Sequence, residues 1–473
     1  MAQPIHAVLI GAGQRGADSY APYALAHPEE IRFVAVAEPD PARRERFALQ
    51  HLIPPENCFA DWQDLLARPQ FGQAALVCTQ DWQHTAPALA ALHAGYDVLL
   101  EKPMAPTAAE CIQLVQASEE TGRQLHICHV LRFTPHFKKL REVIRSGVLG
   151  QIINVSHREN VAYWHMAHSY VRGNWCNTAQ SSPMILAKCC HDLDILPWML
   201  GDRAEQLSSV GSLLHYKPEN APAGATRYCL DGCPAADTCP YYAPFVYLGL
   251  RPMWRTFAER SAGFNRLASK TYLSNPGLVR AASHVIPALK QITDHREWPV
   301  SVLTSDPTPE NILAALKDGP YGRCVYRCDN DVVDHQVVSM QFGSGASVTL
   351  TMQGHSDTEH RYTRIEGARG TLDAVFSFGG SHVEVVEHRS GRRVRYDTNA
   401  DPGAGHGGGD FGLMAAFVRS LNEGPSGERS TAQAALESHL MAFAAERARL
   451  EKTVVTREQF LSPEYHLGQG AAA

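Results

Sequence analysis

No apolar run approaches the ~18 residues that a membrane-spanning helix requires. Positive charge is also in short supply. Lys and Arg number 43 against 49 Asp and Glu, a net charge of −6, which offers no electrostatic footprint for nucleic acid or an anionic membrane surface. The opening stretch MAQPIHAVLIGAG has no basic leader and no small-residue cleavage site, and reads as a first β-strand. Internal repeats, coiled-coil heptads, a P-loop, a G-x-S-x-G elbow and polar low-complexity tracts are all missing. These absences place the protein in the cytoplasm, without a nucleic-acid or membrane partner. Its 473 residues, 44% of them apolar, suit two or three globular domains. Twelve cysteines without a secretory signal are expected as mostly reduced thiols.

What is present begins with a glycine motif in context. The apolar run Ile5–Ile10 leads into Gly11-Ala12-Gly13-Gln14-Arg15-Gly16 and then a segment of helix length. A strand before and a helix after are what a dinucleotide-binding loop requires. Gly11 permits the tight turn, Gly13 lets backbone approach a pyrophosphate, and Gly16 lets helix pack on strand. Gln14 and Arg15 fall at the helix N-terminus, where free N–H groups meet phosphate. The next strand, Ile31–Ala37, ends at Glu38, 22 residues past Gly16, where a ribose-binding carboxylate belongs. That carboxylate favours NAD. Arg43 and Arg44 keep NADP open. Strands at Ala74–Thr79, Asp97–Leu100 and Leu125–Val130 alternate with helices, predicting a doubly wound parallel sheet with ligands at its carboxyl edge. Thr79, Gln80, His84 and Glu101 lie at that edge and are expected cofactor contacts.

The densest polar constellation lies in Met184–Gly201, MILAKCCHDLDILPWMLG. Lys188, His191, Asp192 and Asp194 interrupt an otherwise apolar run, and unpartnered polar groups there would cost kilocalories each. On one helix, Lys188 and His191 share a face, as do His191 and Asp194.

The G-x-G-x-x-G motif, Glu101-Lys102-Pro103 at a later strand end and the His191-x-x-Asp194 element together resemble the Gfo/Idh/MocA oxidoreductases, over about residues 5–200 and 330–420. The resemblance implies a Rossmann domain, a C-terminal α/β domain with a large, mainly antiparallel open sheet, a nicotinamide cofactor, and sugar, polyol or glycoside substrates. It implies dimers or tetramers formed through that sheet. Carried over by position, Lys102 sits by the nicotinamide ribose and the substrate hydroxyl, and His191 accepts the proton. Where the family often has an Asp four residues before that histidine, this chain has Ala187, so Lys188 or Asp192 takes its place in any relay. The expected domains are 1–125 and 126–473, the second holding an insertion at about 213–320.

Arg132 falls at the domain junction. The run from Glu159 to Trp175 is rich in aromatic, His, Arg and Asn residues, which suits the C–H faces and hydroxyl edges of a carbohydrate. Tyr163, His165, His168, Arg172 and Asn174 are therefore candidate substrate contacts, with Arg132 and Asp192. Within the insertion, Cys229-x3-Cys233-x5-Cys239 reads as a structural zinc or iron–sulfur site with a fourth ligand from elsewhere. A reduced thiol cluster, or one disulfide and a free thiol, reads equally well. Strands arriving consecutively between His335 and Tyr396 predict an antiparallel sheet. The loop Gly403–Gly412 brings His406 and Asp410 toward a ligand, and a last helix spans Thr431–Leu450.

The leading expectation is an NAD-dependent oxidoreductase acting on a sugar, polyol or glycoside hydroxyl. His191 would be the base, with Lys102 and Lys188 stabilising the alkoxide and Asp194 completing the catalytic set. The alternatives are a redox-neutral glycoside hydrolase working by oxidation, elimination and reduction, and a non-catalytic NAD sensor.

Overall fold

The computed structural model describes residues 3–261, 263–377, 380–400, 406–424 and 432–467. Gly403, Ala404, Gly405, Thr431 and the C-terminal Gly468–Ala473 fall outside the described residues. Six strands form the first sheet: β1 (Ile5–Ile10), β2 (Ile31–Ala37), β3 (Cys58–Phe59), β4 (Ala74–Val77), β5 (Asp97–Leu100) and β6 (Leu125–Ile127). They lie in the order β3-β2-β1-β4-β5-β6, with every pairing parallel. Because β1 neighbours both β2 and β4, the strand order reverses there, and a crevice opens at the carboxyl ends. The strands are apolar and buried on both faces, as a parallel sheet covered by helices demands. Their helices start and stop as the local chemistry dictates. Thr107 caps Ala108–Thr121 by accepting from Glu110 N, and Gly122 ends it at φ 65°.

The second sheet has nine strands: β7 (Ile152–Ala162), β8 (Ala204–Ser212), β9 (His335–Phe342), β10 (Ser347–Ser356), β11 (His360–Gly367), β12 (Gly370–Ser377), β13 (His382–Glu387), β14 (Arg393–Asp397) and β15 (Val454–Thr456). Their order is β14-β13-β12-β11-β7-β10-β9-β8-β15. Every pairing is antiparallel except β7 with β10. In β10 and β11 alternate residues are buried, so one face turns inward. The helix Ala432–Glu451 packs on β8, on Cys190–Leu200 and on Ala108–Thr121 of the first sheet's layer, tying the two halves together. Between β8 and β9 the chain makes a set of short helices with an apolar core of their own, including Tyr247, Trp254, Tyr272 and Leu316 and reaching Trp164.

Local expectations fail in three places. Met184–Gly201 is not one helix: Met184–Ala187 ends at Lys188, and a second helix runs Cys190–Leu200. Pro197 sits inside that second helix without ending it. The helix after the glycine loop starts as a π-wound segment, Gln14–Tyr20, before the α-helix Ala21–Ala26. The aromatic-rich stretch is helical rather than a loop, over Tyr163–His165 and Met166–Arg172.

Candidate active site

The glycine loop shows which positions serve the fold and which leave space. A Cβ on Gly11, at φ 93°, would lie 2.5 Å from Cys78 O, and one on Gly16 2.3 Å from Gly11 O. A Cβ on Gly13 would meet nothing within 4 Å. The first two glycines answer to the chain itself. Gly13 faces open space at the carboxyl edge of the sheet, so the loop leaves room there for a ligand. Glu38 is buried, accepting from Ala12 N at 2.7 Å and Asp40 N at 3.0 Å. It thereby locks the end of β2 to the glycine loop. Arg44 donates to the Glu38 and Pro39 carbonyls, while Arg43 stays exposed.

Arg15 and Glu101, both expected at the cofactor, are joined to each other at 2.5 Å, and Tyr20 donates to Glu101 at 2.6 Å. Arg15 also pairs with Asp410 at 3.0 Å, and His406 lies 2.9 Å from the same carboxylate. His406, expected at the substrate, thus closes an ionic cluster beside the glycine loop. Thr79 donates to Gln83 O at 3.2 Å, and the buried His84 ring lies 2.7 Å from Pro103 O and 3.2 Å from Thr79 O. His84 therefore holds the Glu101–Pro103 turn rather than an open edge. Gln80 accepts from the exposed Asn174 at 3.3 Å.

Lys102 donates from Nζ to Ala187 O at 3.0 Å, reaching from the first sheet to the broken helix. The next turn is pinned by His439, whose Nε2 accepts from Met104 N at 2.8 Å while Nδ1 donates to Ala435 O at 2.7 Å. His191 is 9% exposed and its Nδ1 is buried without a hydrogen-bond partner. Burial first, and then the charge of Lys102, push His191 well below the ordinary imidazole range, so it is a neutral ring. The His129 ring stands 5.7 Å away, edge to face.

A second network surrounds Lys188. Lys188 Nζ meets Glu359 at 3.0 Å and Glu159 at 3.3 Å, and His165 donates to Glu359 at 2.8 Å. Arg361 joins Glu159 at 2.9 Å to Asp192 at 2.7 Å, and His157 donates to Asp192 at 2.9 Å. Burial resists ionisation of Asp192 and Glu359. The neighbouring Arg361 and His157, and His165 and Lys188 respectively, still hold both below the usual carboxylate range. Burial lowers His165, aided by the charges of Lys188 and Lys102 and opposed by Glu359. The charge of Lys102 disfavours protonation of His191 and, more weakly than burial and Lys188, of His165.

Five expected site residues go elsewhere. Asp194 is clamped by Arg132 through two bonds of 2.6 and 2.5 Å, so neither faces the Lys102 side with a free group. His168 is buried against Tyr247 OH at 2.9 Å and stacks on Tyr321 at 4.7 Å. Arg172 turns toward the cysteine cluster. Tyr163 packs edge to face on Tyr241 at 5.9 Å. The expectation of a structural metal on Cys229, Cys233 and Cys239 is corrected for a single ion: no three of these sulfurs lie within 4.8 Å of one another, and the only described group with such spacing is His27, Glu29 and Glu30. Among the described residues all twelve cysteines are free. Glu359, Arg361, Glu159, His157, His129 and His439 escaped sequence reasoning. Only Glu159, inside the aromatic-rich run, carried a local signal. The others are brought in by strand register and by helix packing.

A parallel dinucleotide-binding sheet, with room left beside Gly13, faces a second sheet bearing buried acid–base groups. This pairing defines a two-sheet α/β protein whose first half is a Rossmann fold. Residues 5–129 match the family model described as oxidoreductase family, NAD-binding Rossmann fold, and residues 137–230 match the GFO/IDH/MocA C-terminal domain. Over these two stretches, just under half of its length, the chain matches the Gfo/Idh/MocA oxidoreductase family. It is similar to inositol 2-dehydrogenase 4 of Saccharopolyspora erythraea, 29% identical over 220 residues, 46% of this chain and 60% of that one. The putative oxidoreductase YteT of Bacillus subtilis is 25% identical over 185 residues, 38% of this chain and 42% of that one. The chain thus spans about half the length of the curated relatives it matches. A solved levoglucosan dehydrogenase, in complex with NADH and levoglucosan, shares the fold at TM-score 0.64 and 15% identity, covering 96% of this chain and 99% of that one. No described helix is long and apolar enough to cross a membrane.

Proposed function

We propose that the protein is an NAD-dependent dehydrogenase that oxidises a hydroxyl of a sugar, polyol or glycoside. The observation that carries this reading is a buried, neutral His191 with an unpartnered Nδ1 beside the Lys102 ammonium. Gly11, Gly13 and Gly16 form the loop that would hold the cofactor phosphates, and Glu38 stands at the ribose position, which favours NAD over NADP. Bound there, the nicotinamide supplies the hydride acceptor. His191 accepts the hydroxyl proton. Lys102, fixed by Ala187 O, stabilises the alkoxide that forms. Lys188 is held by two carboxylates and keeps its charge, so it orients hydroxyls rather than moving protons. The carbohydrate class is supported by the aromatic and imidazole wall of His165, Tyr170 and Trp298. Relatives named for inositol and levoglucosan point the same way. We propose assembly as a dimer or tetramer through the outer face of the nine-stranded sheet, which light scattering would test.

A second reading rests on the His165–Glu359 pair. It is a carboxylate-oriented imidazole separate from His191, as a redox-neutral glycoside hydrolase would need for elimination. One assay separates the two. Purified protein with NAD is offered free sugars, inositols and aryl glycosides, and reduced cofactor and released aglycone are followed together. Net reduced cofactor without aglycone release supports the dehydrogenase. Aglycone release without net cofactor change overturns it in favour of the hydrolase.

A further inference from the structure

The inserted helices carry a surface that the oxidoreductase chemistry does not use. Over the whole chain acids outnumber bases, for a net charge of −6, and that balance argues against a membrane partner. The charge is not spread evenly. Residues 261–293 hold Arg266, Lys270, Arg280 and Lys290 and not one Asp or Glu. All four of these residues are exposed. None of them joins a carboxylate among the described ion pairs. The stretch is therefore a local patch of uncompensated positive charge on an acidic protein.

Large apolar side chains are exposed on the same helices. Phe264 and Leu267 lie on Gly263–Ser274, Leu278 lies on Pro276–Ser283, and Val285 and Ile286 follow it. They are five of the seventeen exposed large apolar residues in the described chain. All five fall within residues 264–286, where an even spread would place about one. Packing does not need them. Ala268, Tyr272 and Val279 turn inward to a core shared with Trp254 and Leu289, while Leu267 is 66% and Val285 83% exposed. On the first helix Arg266 and Lys270, four apart, share one face, and Phe264 and Leu267, three apart, share the face beside it.

Cations and large apolar side chains exposed together on short helices fit a surface of negative headgroups over hydrocarbon. A second copy docking face to face would set four cations against four, which repels. A nucleic acid would meet the cations and leave the aliphatic side chains in water. A groove on an acidic protein takes one long helix with anchors at i, i+3, i+4 and i+7. Here Asn275 caps a new helix at Pro276 and interrupts any such run. We propose that residues 263–290 dock the protein on the surface of an anionic phospholipid bilayer. The five exposed apolar side chains enter the boundary between headgroups and acyl chains, and the four cations meet lipid phosphates. With so few contacts the attachment is reversible and weakens as salt rises.

The test is co-sedimentation of the purified full chain with vesicles at low salt. Vesicles of phosphatidylcholine with about one third phosphatidylglycerol should carry the protein down, and phosphatidylcholine alone should not. Arg266→Glu with Lys270→Glu should weaken the binding at least about tenfold, and so should Leu267→Ser with Val285→Ser. All four positions are exposed, so the thermal midpoints should stay at the parent value. Arg389→Glu, an exposed cation between β13 and β14, should leave binding unchanged. Absence of binding to both vesicles overturns the proposal. So does equal binding to both, or unchanged binding in the two double variants. A chain that stays free of vesicles but self-associates, and loses that association in Leu267→Ser with Val285→Ser, assigns the face to a second copy instead. The measurement needs neither cofactor nor sugar, so it stands apart from the oxidoreductase reading.

Discussion

Asp194 closes the motif that the family resemblance singles out, yet its geometry is that of a strut. The Arg132 guanidinium grips both carboxylate oxygens, and the two side chains are 8% and 1% exposed. Burial raises Asp194 and Arg132 opposes that rise, so the pair stands only as a pair. Replacing Asp194 with Ala strands a buried cation, which costs about 3–5 kcal/mol. The pair also lines a cavity of about 700 Å³ between Cys190–Leu200 and Ala432–Glu451. Water entering there hydrates the freed guanidinium and brings the loss toward about 3 kcal/mol. At an m-value of about 3 kcal/mol/M, the urea midpoint should fall by about 1 M. Arg132→Met with Asp194→Leu removes both charges at similar volume and should recover to within about 1 kcal/mol of the parent. Urea unfolding of the parent, both single variants and the double variant measures the coupling. An Asp194→Ala protein of unchanged midpoint but no turnover would refute the structural reading and return Asp194 to the chemistry.

His191→Ala should lower kcat by about 10²–10⁴ and leave the NAD Kd, read by fluorescence titration, within about twofold. Gly13→Val should weaken NAD binding at least about tenfold with little change in thermal midpoint, because its Cβ meets only open space. Gly11→Val should instead lower the thermal midpoint, because its Cβ collides with Cys78 O and its φ is positive. Acid should destabilise the protein through its buried imidazoles. Burial and His129 hold His439 down to about 3, and burial lowers His129 and His191. An unfolded histidine takes its proton near about 6.5. Below that pH the unfolded chain binds more protons, and stability falls by about 1.4 kcal/mol per pH unit for each such ring. The thermal midpoint should therefore drop from about pH 6.5 downward, and less steeply in His439→Gln.

The parallel sheet was legible because its signals are local. Strands buried on both faces read as short apolar runs, so β1, β2 and β5 have the limits that the sequence suggests. Glycine punctuates the turns. Strands β8 and β15 were not legible. β8 carries polar residues and a glycine at the sheet's far side, and β15 is three residues long. The break at Lys188 was equally hidden, since nothing in ILAKCCHD disfavours a helix. The chain breaks there where Lys188 meets Glu159 of β7 and Glu359 of the turn before β11.

The sequence by itself determined the nucleotide loop, the alternation that makes the first sheet, and the presence of Lys102 and His191, because each rests on neighbours within a few residues. Only the tertiary structure decided their partners. The register of β7 against β11 places Glu159 opposite Arg361, helix packing brings His439 to Met104, and Arg132 takes Asp194 out of reach. Charges buried together must find one another in three dimensions, and that pairing is carried by long-range contacts that no local pattern encodes.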